Sequence, residues 1–227
     1  MVDVKVSNLK RLEKKYVLEY EKEEIQKGLI MFYGDSFFTR WSSQWGGLQR
    51  SLEEDIRMKD GSRAIINHGF GTSTAEEQLY FYHRLVKPWE PRALVLHAHG
   101  NDAGFNYSPE EILFLQSRLI EYARYDMPGI RFYLCDVAPK KLTINDKGFY
   151  HYHSQQYNQL LEEYCARHDD CTYVCHTSSA LFYNEPSDVG SYDTIRTDIF
   201  VEDQIHFNQK GYELYKEFFL QVLDDIL

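Results

Sequence analysis

Apolar residues follow two rhythms along the chain. Mostly apolar runs of strand length occur at Leu29–Tyr33, Arg63–Asn67, Arg92–Ala98, Ile130–Cys135 and Cys171–Cys175. They lack the strict polar alternation of a half-exposed sheet, which suits strands covered on both faces. Between them the apolar positions recur at helical spacing. Leu9, Leu12, Tyr16, Val17 and Tyr20 mark an amphipathic helix over residues 8 to 24. Thr74 with Glu77 forms a capping box that opens a helix to about Val86, and Pro88 and Pro91 close it. Ser108-Pro109-Glu110-Glu111 opens another, carrying Ile112, Leu115, Leu119 and Ile120. Tyr157, Leu160, Leu161 and Tyr164 set a helix over Tyr150 to Arg167, and Tyr212, Tyr215, Phe218, Phe219, Val222 and Ile226 set the last.

Residues 37 to 60 read less regularly, as a loop and a helix through Leu48, Leu52 and Ile56 before an Asp60-Gly61 turn. Short apolar strands alternating with helices predict βαβ units: an α/β fold with a five-stranded, mostly parallel, doubly wound sheet and helices on both faces. No repeat or linker divides the 227 residues, so residues 1–227 are expected to form one domain, with the helix near residues 1–25 packed on it.

Composition narrows the function classes. A net charge of −10 argues against a nucleic-acid partner or an anionic membrane surface. No window reaches the ~18 apolar residues of a membrane span. The N-terminus lacks the basic-then-apolar build of a secretory signal. Cys135, Cys165, Cys171 and Cys175 have no paired spacing, which fits free thiols in a cytoplasmic protein.

The chemistry gathers after the strands. In a doubly wound sheet the loops following each strand share the carboxyl edge, where ligands bind. Those loops hold Ser36, the Gly69–Ser73 turn, Asn101 and the Asp203/His206 pair. Acyl transfer needs a nucleophile, a base, a group orienting the base, and oxyanion donors. Ser36 supplies a hydroxyl, and Asp203 lies three residues before His206 so that a turn can join carboxylate and imidazole. The glycine-rich turn offers N–H groups, and Asn101 offers a non-titrating amide.

Gly34-Asp35-Ser36, Asn67-His68-Gly69-Phe70-Gly71, Asn101-Asp102 and Asp203-x-x-His206-x-Asn208 resemble, in order, the four motif blocks of the SGNH (GDSL-type) hydrolases. The resemblance implies a flavodoxin-like three-layer α/β/α sandwich and a serine esterase, lipase or acylhydrolase that uses no cofactor or metal. It implies Ser36 as nucleophile, His206 as base and Asp203 as its orienting partner. The oxyanion hole would draw on the Ser36 N–H, the Gly71 or Thr72 N–H and the Asn101 side chain. Two positions depart from the pattern. Thr72 stands where a donor glycine is usual, and its β-branch restricts the backbone. His99 replaces the first glycine of the third block and would then contact substrate.

Phe37, Phe38, Trp41 and Trp45 are candidates for an acyl pocket, Phe37 first among them, and Arg40, Arg63 or Lys140 for an anionic head group. The long loops 136–149 and 177–204 are the expected substrate walls. The expected partner is a small ester. Other readings are an acyltransferase or O-acetyl-sugar deacetylase with the same site, a binding protein on a hydrolase scaffold, and a metal-dependent hydrolase built on His68, His97, His99, His151 and His153. A metal needs three or four convergent ligands, and nothing in the sequence fixes these histidines together.

Overall fold

The structure is a computed structural model that describes residues 8–140, 147–190 and 192–227. The chain is helical over residues 8–20 (α1), with Glu13–Val17 in π-helical form. Then come β1 (Ile30–Tyr33), α2 (Ser36–Thr39), β2 (Ile65–Asn67), α3 (Ala75–Leu85), β3 (Ala93–Leu96), α4 (Pro109–Asp126), β4 (Arg131–Cys135), α5 (Lys147–Cys165), β5 (Cys171–Val174) and α6 (Gln209–Val222).

The strands form one sheet in the order β2-β1-β3-β4-β5, and every pairing is parallel. This is the flavodoxin-like strand order, whose chain reversal beside β1 opens a crevice at the carboxyl ends of β1 and β3. Register runs from Ile30 opposite Ile65 on one side and Ala93 on the other.

Alternate strand residues face opposite layers, as the pleat requires. Met31, Tyr33, Ile66, Leu94, Leu96, Phe132 and Leu134 pack with α1, α3, α4 and α5. Ile30, Phe32, Ile65, Val95, Tyr133, Cys135 and Val174 pack with α2, Trp41, Leu52 and α6. The central strands are buried throughout, which explains why their sequences show no polar alternation.

Both predicted capping boxes form. The Thr74 N–H donates to Glu77 at 2.7 Å, and Ser108 and Glu111 exchange bonds of 2.8 and 3.2 Å. The helix expected through Leu48, Leu52 and Ile56 shrinks to Leu52–Asp55. All three side chains are buried, but Gly47 sits at φ +67° and ends the preceding turn. Residues 141–146 of the expected 136–149 loop lie outside the described residues. The four cysteines are free thiols.

Candidate active site

Each site residue is held by a local device. β1 stops at Gly34, where a Cβ would lie 2.8 Å from the His97 carbonyl oxygen. Asp35 then caps α2, its carboxylate accepting the Phe37 N–H at 3.0 Å and lying 3.1 Å from His97 Nδ1. Burial pushes the Asp35 carboxyl up, but the His97 ring and the Phe37 N–H outweigh that and hold it below its ordinary value. Ser36 therefore opens α2 at the carboxyl edge of the sheet.

The second block is tied down onto the first. Phe70 N–H donates to Gly34 O at 2.9 Å, Asn67 Nδ2 to Phe38 O at 2.9 Å, and the Tyr20 hydroxyl to Gly69 O. A Cβ on Gly71 would stand 3.8 Å from Ser36 Cβ, so the turn lies beside the serine. Thr72 adopts φ +67°, a conformation that costs a β-branched residue strain. Arg11 of α1 reaches over this turn and donates to Thr72 Oγ1. Among the described residues, the N–H groups of Ser36, Gly71 and Thr72 donate to no protein acceptor.

In the third block, Asn101 lies in the helical turn Gly100–Gly104 and donates through Nδ2 to Ser73 O at 2.9 Å. Asp102 braces both neighbours by accepting from Ala75 N–H at 2.7 Å and His99 N–H at 3.0 Å. Burial pushes its carboxyl up to about 6.

The fourth block is a tight turn with Gln204 at φ +56°. One Asp203 oxygen accepts the N–H groups of Ile205 and His206, each at 2.9 Å. The other lies 2.7 Å from His206 Nδ1. Partial burial pushes the Asp203 carboxyl up, but these contacts dominate and hold it at about 2. Asn208 caps α6 through Gly211 N–H at 3.1 Å and donates to Asp198 O and Phe200 O at 2.9 and 3.0 Å. The turn thus stays against the helix it precedes, and His206 Nε2 lies 2.9 Å from Ser36 Oγ.

Ser36, Asn101, Gly71, Thr72 and His206 line one cleft of about 250 Å³ with Arg11, Lys15, Tyr16, Thr39, Arg40 and Trp45. Several expected pocket residues are elsewhere. His99 is fully buried with Nε2 2.9 Å from His153 Nδ1. Its φ of +115° turns the chain after β3, so the ring packs on Tyr157 of α5 rather than entering the cleft. Phe37 packs behind the site against His97, His206 and Phe207. Phe38 and Trp41 are core.

Of the candidate cations, Arg40 lines the cleft, whereas Arg63 and Lys140 do not. The 177–204 loop lines a separate open hollow of about 660 Å³ instead. The wall that sequence reasoning missed is α1. Its Arg11 and Lys15 had the appearance of any solvated helix face, and only the buried Leu12 and Tyr16 beside them fix which way they point.

Apart from the His99–His153 pair, the described histidines have separate partners. His97 joins Asp35, His68 Nδ1 donates to Leu85 O at 2.7 Å, and His153 lies against Tyr107 O at 2.8 Å. Among the described residues no three His, Cys, Asp or Glu side chains are grouped to hold a metal ion.

The GDSL-like Lipase/Acylhydrolase family model matches residues 32–214. The chain belongs to that family. It is accordingly a hydrolase acting on ester bonds. No curated protein matches, but solved structures do. A GDSL-like lipase from Bacteroides thetaiotaomicron is 17% identical, with 94% of this chain and 98% of that one covered at a TM-score of 0.70. The psychrotrophic esterase EstA from Pseudoalteromonas is 14% identical, with 88% and 98% covered at 0.64. An acetyl-xylooligosaccharide esterase from a Geobacillus is 14% identical, with 88% and 95% covered at 0.63. At such identities the likeness shows the three-layer fold. Among the described residues no helix is long and apolar enough to cross a membrane.

Proposed function

We propose that this member of the family hydrolyses small carboxylic esters through an acyl-enzyme on Ser36. The reading rests on one observation: Ser36 Oγ, the His206 ring and Asp203 lie in line at 2.9 and 2.7 Å. An ionised Asp203 can only accept, so it fixes the proton on Nδ1 and leaves the Nε2 lone pair toward Ser36. Ser36 Oγ attacks the ester carbonyl carbon as His206 Nε2 takes the hydroxyl proton. The developing oxyanion is met by the N–H groups of Ser36 and of Gly71 or Thr72, with the Asn101 amide. Collapse expels the alcohol, which leaves with the proton from His206. Water then attacks the acyl-enzyme with His206 again as base, releasing the acid and restoring Ser36.

The cleft of about 250 Å³ suits a short acyl group, such as an acetyl carried by a sugar or another small alcohol. Hydrolysis is favoured over transfer to an acceptor because Asp203 is 38% exposed, so water reaches the site. Wild type should turn over p-nitrophenyl acetate faster than the butyrate, and the butyrate faster than the octanoate. Ser36→Ala should lower kcat by roughly 10³-fold or more, and EDTA should leave the rate unchanged. Activity that survives Ser36→Ala would remove Ser36 as nucleophile; activity lost with EDTA would make the reaction metal-dependent.

A further inference from the structure

The cleft's charge is opposite to the protein's. The chain carries a net −10, yet Arg11, Lys15 and Arg40 line the cleft and, among the described residues, no Asp or Glu does. Arg11 and Lys15 stand one helical turn apart on α1, on the same side. Both precede residue 32, where the family match begins, so this wall is not part of what the chain shares with the family model. Buried Leu12, Tyr16 and Val17 seat α1 on the core. Arg84 secures it further through Glu21, at 2.7 and 2.8 Å, and through Glu13.

The three cations differ in how far the protein already engages them. Arg11 is held by Asn8 Oδ1 at 2.8 Å and by Thr72. Arg40 lies 3.8 Å from Asp203. Lys15 sits 4.9 Å from the centre of the Tyr16 ring and, among the described residues, makes no ion pair. A cationic group in the wall of a cleft, with no carboxylate in the lining among the described residues, leaves its charge to act on whatever enters.

We propose that the substrates are anionic esters, with a carboxylate or phosphate a few bonds from the scissile carbonyl that is met by Lys15, Arg11 and Arg40. The proposal rests on the ester-hydrolase reading above and names its substrate class. The anion can sit on the acyl side or on the leaving alcohol. Both place a negative charge near the carbonyl, and both can be tested.

The test compares each carboxylate ester with its neutral carboxamide. Monophenyl succinate against phenyl succinamate probes the acyl side, and 4-acetoxybenzoate against 4-acetoxybenzamide probes the alcohol side. For one pair, kcat/KM of the carboxylate should exceed that of the carboxamide by about tenfold at low salt, as two or three solvent-exposed charge contacts together would give. The preference should fall toward one at about 1 M NaCl, where screening reaches ~3 Å. It should shrink in Lys15→Gln and return in Lys15→Arg. Equal rates for both pairs in wild type, or a preference that persists unchanged in Lys15→Gln, would overturn it.

Calorimetric titration of Ser36→Ala with the same compounds separates this proposal from the one it rests on. Tighter binding of the carboxylate with no hydrolysis in wild type keeps the anion site and discards the hydrolase mechanism. Hydrolysis without charge preference does the reverse.

Discussion

His68 offers a measure of how far the core depends on neutral histidine. The ring is fully buried, stacked on Tyr20 and edge-on to Trp89. Its Nδ1 donates to Leu85 O, while Nε2 has no hydrogen-bond partner among the described residues. Burial pushes its pKa down from 6.5 to about 4, partly countered by the Leu85 carbonyl. The Glu23 carboxylate approaches to 3.9 Å, but with the ring neutral this contact is no ion pair. A depressed histidine pKa means the unfolded chain takes up a proton below about 6.5, whereas the fold does so only near 4. Stability is therefore lost as pH falls through that window.

The loss is about 2.5 pH units at 1.36 kcal/mol each, on the order of 3 kcal/mol. Asp102, raised by burial to about 6, acts with the opposite sign: it gains stability as pH falls. A single acid titration of wild type therefore mixes the two. The clean quantity is the difference in unfolding free energy between wild type and His68→Gln, from urea melts at pH 7, 6, 5 and 4. Burial also pushes Glu23 up, to about 7, so the same pair is compared in a Glu23→Gln background. The advantage of His68 over Gln should shrink by about 3 kcal/mol between pH 7 and 4. A difference that stays constant across the series would refute the neutral, desolvated ring.

Two further substitutions test the geometry. Asn101→Ala should lower kcat on p-nitrophenyl acetate about 10²- to 10³-fold with KM little changed, as loss of one oxyanion donor does; an unchanged kcat would reduce Asn101 to its bond with Ser73 O. Gly69→Ala would put a Cβ 2.5 Å from Thr39 N and 2.6 Å from Phe38 Cβ. Because backbone must move, we expect a loss of a few kcal/mol and a fall in esterase rate larger than the fraction unfolded explains. Urea melts and rate assays on one preparation check both, and near-wild-type stability would show that the second block can shift freely against α2.

Much of the architecture could be read from the chain because the forces that fix it are local. Ser108, Pro109 and Glu111 carry their own helix start, and the central strand runs are almost wholly apolar because both faces are covered. The grouping of the candidate residues was readable for a related reason. Asp203 and His206 are joined by a three-residue turn that closes on itself.

What could not be read depends on tertiary placement. Leu48, Leu52 and Ile56 have helical spacing, but their burial comes from the layer they meet rather than from one helix. His97 and His99 sit two apart and would share a face on a continuing strand. β3 ends at Leu96, and the φ of +115° at His99 sends the two rings to different layers. The cleft wall belongs to the same class. A solvated lysine and one that lines a cleft have the same local sequence, and only packing tells them apart.

That wall has a consequence for how this protein can change. On α1, Leu12, Tyr16, Val17 and Tyr20 do the anchoring, while Arg11 and Lys15 beside them line the cleft and carry the proposed contacts to substrate. The proposed reacting groups Ser36, Asn101, Asp203 and His206 all lie after residue 34, on different loops. Choice of guest and the reaction performed on it are therefore written in separate parts of the chain. Drift at two rim positions of one helix can redirect the protein toward a new compound while its chemistry and its seating stay intact.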